Sequence, residues 1–375
     1  MNPLIYKRPF VFLIGAGASV PLGKKATVEF LEWLKLPQQG VDYGLLSSIC
    51  AQIEPTEELG IKHDVEVVLD HLESLIAAGE LLDKSGDASL VKRLEKTSRG
   101  QTGPPLHPYG SPLNLGENIR LREQIRDLIV KHYFEIDSEK AFKLYDPFFG
   151  SLSYARGLAV PVFTTNYDLA IEKVHEHSET RFRLVDGFIR ETGIPEWRRS
   201  AYEDFTAFSI TGRIGGVVLF KLHGSVDWVR TPSGAIQRVT SQERDPGQMR
   251  TVLVYPSRLK GELHDEPFRT NYAYLLACLL NAQVCVVIGF SFRDQEIAEE
   301  LHQAIGLNNK LKLVIIDPNA QAIKSRLQSR FGFEPRAELI KEELNEENVS
   351  SIIKKLAEVI TERRKKFFFF GRSAK

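Results

Sequence analysis

The sequence predicts an α/β protein built on a Rossmann-like, doubly wound parallel sheet that carries a mostly helical insertion. Three observations predict it. Short, mostly apolar runs recur along the chain, at Phe10–Ile14, Val160–Thr164, Val217–Leu222, Val284–Gly289 and Leu311–Ile316. Runs of this length without alternation suit strands buried on both faces. Helical patterns separate several of them, which is the arrangement of a parallel sheet with crossover helices. Each run is followed at once by small or polar residues, and in open sheets of this kind ligands bind outside the carboxyl ends of the strands.

The elements follow in order. Lys7 and Arg8 precede Phe10–Ile14, and Ala16-Gly17-Ala18 follows it, which imitates a signal peptide. The apolar run falls short of the roughly seven residues such a segment needs, so it reads as a first strand ending in a glycine turn. Lys24–Lys35 has helical spacing, with Val28, Leu31 and Leu34 on one face. The alternation then stops. Val65, Val68, Leu69, Leu72, Leu75 and Ile76 mark one amphipathic helix, and Leu121, Ile125, Leu128 and Ile129 another. Between them Arg99–Asn118 is rich in Gly and Pro and reads as a loop. Strands and helices resume after Gly157, with helices expected at Leu169–Glu176, Tyr272–Leu280 and Gln295–Ile305. Trp228–Val239 reads as a hairpin turning at Pro232-Ser233-Gly234. The expected division is a core of residues 1–37 and 158–345, a helical insertion at 38–157, and a C-terminal charged helix with a basic and aromatic tail at 346–375.

Composition bounds the function. The chain has 375 residues, 43% hydrophobic and 26% charged, an ordinary globular balance. Lys plus Arg and Asp plus Glu both number 49, for a formal net charge of zero. That argues against bulk polyanion binding and against direct sequence-specific recognition of nucleic acid, though a local basic patch stays open. The three cysteines, Cys50, Cys278 and Cys285, have no metal-ligand spacing, so neither zinc nor a disulfide framework is expected. A cytoplasmic location suits them. No segment is apolar over a membrane's thickness.

Five clusters stand at the expected strand ends: Gly15-Ala16-Gly17-Ala18-Ser19, Thr165-Asn166-Tyr167-Asp168, His223-Gly224-Ser225, Gly289-Phe290-Ser291 and Asp317-Pro318-Asn319. Together they would line one crevice. The first suits phosphate, because glycines let backbone N–H groups approach an anion at a helix start; it equally suits a bare tight turn. Val20 stands where a dehydrogenase fingerprint needs its third glycine, and no acidic residue ends a second strand about twenty residues on. Hydride transfer is therefore disfavoured. His223 is suited to move protons. Asn166 could position a ribose hydroxyl or a water. Asp168, Ser291 and Asp294 could equally be helix caps, and Asp317 and Asn319 could meet an adenosine ribose or start a helix. His63, His71, His175 and His177 read as structural, and Asp64, Glu66, Asp70 and Glu73 as a solvated face.

The ordered series Gly15–Ser19, Thr164-Thr165-Asn166-Tyr167-Asp168, Lys221-Leu222-His223-Gly224-Ser225 and Gly289-Phe290-Ser291 with Asp294 resembles the motif series of the sirtuin superfamily. More narrowly it resembles the bacterial branch that hydrolyses NAD in anti-phage defence. The resemblance implies that Asn166 and His223 are a catalytic pair. It implies that Gly15, Ala16, Gly17, Ser19, Thr165, Asp168, Gly289, Ser291, Asp317 and Asn319 hold NAD. The paired Cys-x-x-Cys motifs of the family's protein deacylases are absent, and Pro21-Leu22-Gly23-Lys24 stands where those enzymes carry Pro-Asp-Phe-Arg. Both departures favour NAD glycohydrolysis without a metal over lysine deacylation. ADP-ribosyl transfer and a non-catalytic NAD- or ADP-ribose-sensing scaffold are the alternatives. The resemblance also implies a stand-alone homo-oligomer that can pair with a HerA-type hexameric ATPase. Four phenylalanines, Phe367–Phe370, after the basic run Arg363–Lys366 are expected either to assist assembly or to fold back on the chain.

Overall fold

The computed structural model describes residues 10–53, 64–85, 114–150, 159–177, 182–189, 193–202, 205–206, 209–210, 216–240, 250–254 and 264–369. Ten helices occur among them: α1 (Thr27–Leu34), α2 (Tyr43–Gln52), α3 (Val65–Ser85), α4 (Leu115–Phe134), α5 (Ser138–Phe149), α6 (Ala170–Glu176), α7 (Phe268–Asn281), α8 (Gln295–Leu307), α9 (Ala320–Phe331) and α10 (Val349–Phe369). Fourteen strands accompany them. They are β1 (Phe10–Ile14), β2 (Ala159–Thr164), β3 (Arg183–Val185), β4 (Phe188–Ile189), β5 (Glu196–Trp197), β6 (Phe205–Thr206), β7 (Ser209–Ile210), β8 (Gly216–Lys221), β9 (Gly224–Arg230), β10 (Ile236–Arg238), β11 (Arg250–Leu253), β12 (Val284–Ile288), β13 (Lys312–Ile316) and β14 (Ala337–Ile340).

Seven strands form one sheet in the order β14-β13-β12-β1-β2-β8-β3, with every neighbouring pair parallel. The five apolar runs of the sequence are its central strands. Alternate side chains leave opposite faces. Phe10, Phe12, Ile14, Val162, Leu219 and Val286 join one core cluster with residues of α5, α6 and α10. Val11, Leu13, Phe163, Phe220, Cys285 and Ile315 join the other, with residues of α7, α8 and α9. Helices therefore cover both faces, and the sheet is doubly wound as predicted. From β1 the chain passes to β2 on one side and later returns to β12 on the other, so the topological switch lies between β1 and β12.

The chain divides into two compact units, residues 1–24, 133–254 and 262–375, and residues 25–132 and 255–261. The first holds the sheet. It also takes in α5, whose Leu144, Tyr145, Phe148 and Phe149 are buried in the same core cluster as Phe12. The second unit is helical. Phe30, Trp33 and His132 form a ring cluster there, and Asp64 is buried at the start of α3, where its carboxylate accepts the Val67 amide at 3.0 Å. Asp64 is thus a cap rather than part of a solvated face.

Several boundaries differ from the sequence reading. Ala16–Leu22 is a short 3-10 helix and α1 starts only at Thr27, because Gly23 in the left-handed region ends the first turn. Leu115–Asn118 belongs to α4 rather than to a loop, while residues 86–113 lie outside the described residues. The hairpin at Pro232–Gly234 is present, but it belongs to a second sheet, β11-β9-β10-β5-β4. Its outer strands are two to four residues long, too short for periodicity to reveal. Gly224 makes the passage from β8 into this sheet at φ 82°, and a Cβ there would lie 2.1 Å from the Val252 carbonyl oxygen. The backbone of α10 continues to Phe369, but the side chains from residue 360 onward, and all of Phe370, lie outside the described residues.

Candidate active site at the strand ends

Two loops meet at the switch point. The β1 loop spends the Gly15 amide on the Ile288 carbonyl and the Gly17 amide on the Gly289 carbonyl, both at 2.9 Å. A Cβ on Gly15 would lie 2.7 Å from the Gly289 carbonyl oxygen, and one on Gly17 2.9 Å from the Gly289 Cα. These glycines therefore serve the close approach of two backbones, and their two amides are already bonded within the chain. Gly289 itself has φ 59°, and its Cβ would stand 2.2 Å from the Ala18 nitrogen. Gly289→Ala is expected to lower unfolding stability by roughly 2–6 kcal/mol, the sum of backbone strain and overpacking. An unshifted urea midpoint would show that the two loops can part without cost.

The Asn166 carboxamide closes this junction. Its Nδ2 donates to the Gly15 carbonyl at 3.0 Å and to Ser19 Oγ at 2.9 Å. Ser19 Oγ in turn donates to Asp168 Oδ2 at 2.6 Å, and Asp168 Oδ1 accepts the Ala170 amide at the start of α6. Asp168 thus both caps and orients, as its two sequence readings allowed. With its NH2 group fully used, Asn166 is 8% exposed, and its Oδ1 has no hydrogen-bond partner among the described residues. A buried amide oxygen left unbonded costs free energy, so it marks a place where a ligand group or a water is expected to donate. Tyr145, buried on α5, donates to the Ala18 carbonyl at 3.0 Å and holds the loop from below.

His223 stands on the neighbouring strand. Thr164 and Lys221 are paired in the β2–β8 register, so Asn166 and His223 each lie two residues beyond paired strand residues. The His223 Nε2 engages Asp294 Oδ2 at 2.7 Å, and both side chains are buried. Asp294 Oδ1 also accepts the Ile297 amide and caps α8. Sequence reasoning gave Asp294 a cap and a place in the motif series but not His223 as its partner, because a partner 71 residues away carries no local signal.

Beneath the strand ends lies a group of charges that the sequence reading left without a role. Lys221 Nζ donates to the Asp168 carbonyl and to Ser225 Oγ, and pairs with Glu172 at 3.2 Å. Arg238 pairs with Asp186 and Asp227 at 2.7 and 2.8 Å. Burial pushes the Glu172 carboxyl above its ordinary value against the pull of Lys221 and Arg238. Asn271 on α7 donates to the Lys221 carbonyl at 2.9 Å. These contacts fix the ends of β2 and β8 to each other.

A cavity of about 180 Å³ opens at the switch point. Gly17, Ala18, Val20, Gly289, Asp317 and Asn319 are among the residues lining it, with Glu343 and Leu344 beyond β14 as a further strand-end contribution. Partial burial raises the Asp317 carboxyl above its ordinary value, while its Oδ1 accepts the Asn319 amide at 2.7 Å. The predicted site residues thus sort into three places. Gly15, Ser19, Asn166 and Asp168 share one hydrogen-bond network, and Gly17, Gly289, Asp317 and Asn319 share the cavity. Thr165 and Ser291 contribute backbone at the loops: the Thr165 amide bonds the Ile14 carbonyl and the Ser291 carbonyl accepts Arg326. Ala16 opens the 3-10 turn. Burial pushes the Cys278 and Cys285 thiols up to about 12. Among the described residues no group of three or more His, Cys, Asp or Glu is placed to hold a metal, and no helix is long and apolar enough to cross a membrane.

Residues 160–340 match the model of the SIR2-like domain. Solved structures with similarity include a Sir2 homologue–NAD complex at 12% identity, covering 96% of this chain and 92% of that one with a TM-score of 0.43. A mutant Sir2 homologue with 2′-O-acetyl ADP ribose matches at 12% identity, 95% of each chain and a TM-score of 0.44. At this identity and these TM-scores, the fold rests on the strand order and helical layers described above. No curated protein matches the chain.

Proposed function

We propose that the chain binds NAD across the strand ends and hydrolyses its nicotinamide–ribose bond. The observation that carries this reading is the Asn166 carboxamide, locked through its Nδ2 to Gly15 and Ser19 and presenting a buried, unbonded Oδ1. The cavity bordered by Gly17, Gly289, Asp317 and Asn319 supports it as the place for the adenosine half. In the reaction the bond from ribose C1′ to the nicotinamide nitrogen breaks, and its electron pair leaves with neutral nicotinamide. A water oxygen bonds C1′ and loses one proton, giving ADP-ribose. Asn166 would accept from that water or from a ribose hydroxyl. His223 would bind or deprotonate a ribose hydroxyl, and the Asp294 carboxylate would hold the imidazolium that results. The match to the SIR2-like domain is consistent with this substrate.

The proposal includes its setting: NAD depletion in the cytoplasm during defence against phage, by a homo-oligomer that can pair with a HerA-type ATPase. The resemblance of the motif series supports that part, and the Phe367–Phe370 tail is its candidate assembly segment. Following nicotinamide release from NAD by proton NMR tests the chemistry. Stoichiometric nicotinamide and ADP-ribose are expected, from the isolated chain or from its complex with the ATPase. Intact NAD under both conditions would overturn the proposal.

A further inference from the structure

Arg326 and Arg330 lie one turn apart on α9 and reach the same loop. Arg326 Nη1 donates to the Ser291 carbonyl at 2.5 Å, and Arg330 Nη1 to the Phe292 carbonyl at 3.2 Å. Arg293 is the next residue of that loop, which holds Phe292 at φ 56°. Two guanidinium groups therefore sit against this loop, and Arg293, on the loop itself, is near enough to act on the charge of Arg326. Among the described residues none of the three forms an ion pair, whereas Lys324 on the same helix is neutralised by Glu334. Burial and then the charges of Arg293 and Arg330 lower the Arg326 pKa from its ordinary value. Like charges held together raise the free energy of each charged form, and an anion between them removes that cost.

The carbonyl contacts each use one of a guanidinium's five N–H groups and fix the direction of its fork. Arg293 and Arg330 are exposed, and Arg326 is half-buried. None of the three lines the cavity at the switch point. We propose that Arg293, Arg326 and Arg330 form a binding site for a phosphate group, separate from the strand-end crevice. Phosphate suits this set better than a carboxylate. It brings up to two charges and several acceptor oxygens to three cationic forks, and guanidinium geometry matches it two bonds at a time. The net charge of zero means that the whole chain supplies no general attraction, so the local cluster has to carry the binding. The phosphate can come from a free nucleotide polyphosphate or from a nucleic-acid backbone read without regard to sequence.

Calorimetric titration at low salt tests this, with inorganic tripolyphosphate in one arm and a single-stranded oligonucleotide in the other. Three proteins are compared: the wild type, Arg293→Gln, and the double variant Arg326→Gln/Arg330→Gln. Arg293→Gln removes no hydrogen bond described above and so guards against a folding artefact. Wild-type binding should weaken as salt rises, fall about tenfold in Arg293→Gln and vanish in the double variant. ADP-ribose affinity should be unchanged in Arg293→Gln. Tripolyphosphate binding alone identifies a small ligand; oligonucleotide binding lost in the same variants identifies a backbone. If neither probe binds the wild type, or if Arg293→Gln binds both as the wild type does, the proposal is overturned.

Discussion

Asn166→Ala should lose turnover of NAD by about a hundredfold or more while the chain remains folded. The magnitude is that of removing one preorganised polar group from a reacting centre. The structure adds a second, separable effect. The Gly15 carbonyl and Ser19 Oγ each lose their carboxamide donor, so stability should fall by about 1–3 kcal/mol. Thermal melting reads the second effect and product formation under saturating NAD reads the first. Asn166→Asp discriminates further, because a carboxylate oxygen cannot donate to the Gly15 carbonyl. It should leave the stability loss in place while keeping an acceptor oxygen at the site. A variant lacking the carboxamide yet turning over NAD near the wild-type rate would remove Asn166 from the chemistry.

The second large effect belongs to His223. Its bond to Asp294 at 2.7 Å, with both side chains buried, means that His223→Ala does two things at once. It removes the imidazole from the site, and it leaves a buried carboxylate without that partner, a change that costs about 3–5 kcal/mol when the pair is ionic. The folded variant to study is therefore His223→Gln, whose amide can still donate to Asp294. It should melt close to the wild type and lose at least about a hundredfold in kcat. Asp294→Asn acts through His223 rather than on the substrate. It keeps a side-chain oxygen to cap α8. It should lower kcat with little change in KM, whereas a merely structural role for Asp294 would appear in the melting temperature alone.

The fold was legible because burial on both faces leaves continuous apolar strands, and Phe10–Ile14 and Val284–Gly289 needed nothing beyond that pattern. The strands β4 and β5 were not legible, because two residues cannot display a period and the pairing of β5 with β10 joins residues far apart in the sequence. At the site, position after a strand found Asn166, His223, Gly289 and Asp317. What position could not show is how they are held. The Ser19–Asp168 bond, the His223–Asp294 pair and the Lys221–Glu172 pair join residues 149, 71 and 49 positions apart, and only the folded sheet makes them neighbours. The glycines of the first loop illustrate the same limit. Their spacing suited a phosphate cradle and a bare tight turn equally, and the structure shows Gly15 and Gly17 letting the loop meet Gly289.

The central claim is that water, not an acyl-lysine, captures the ribose. Incubating the protein with NAD, with and without an acetyl-lysine peptide, and resolving the products by chromatography with mass detection tests it most directly. The account predicts nicotinamide and free ADP-ribose in equal amounts, at a rate the peptide does not change, with the peptide recovered still acetylated. Formation of an acetylated ADP-ribose together with deacetylated peptide, and no ADP-ribose without the peptide, would contradict it.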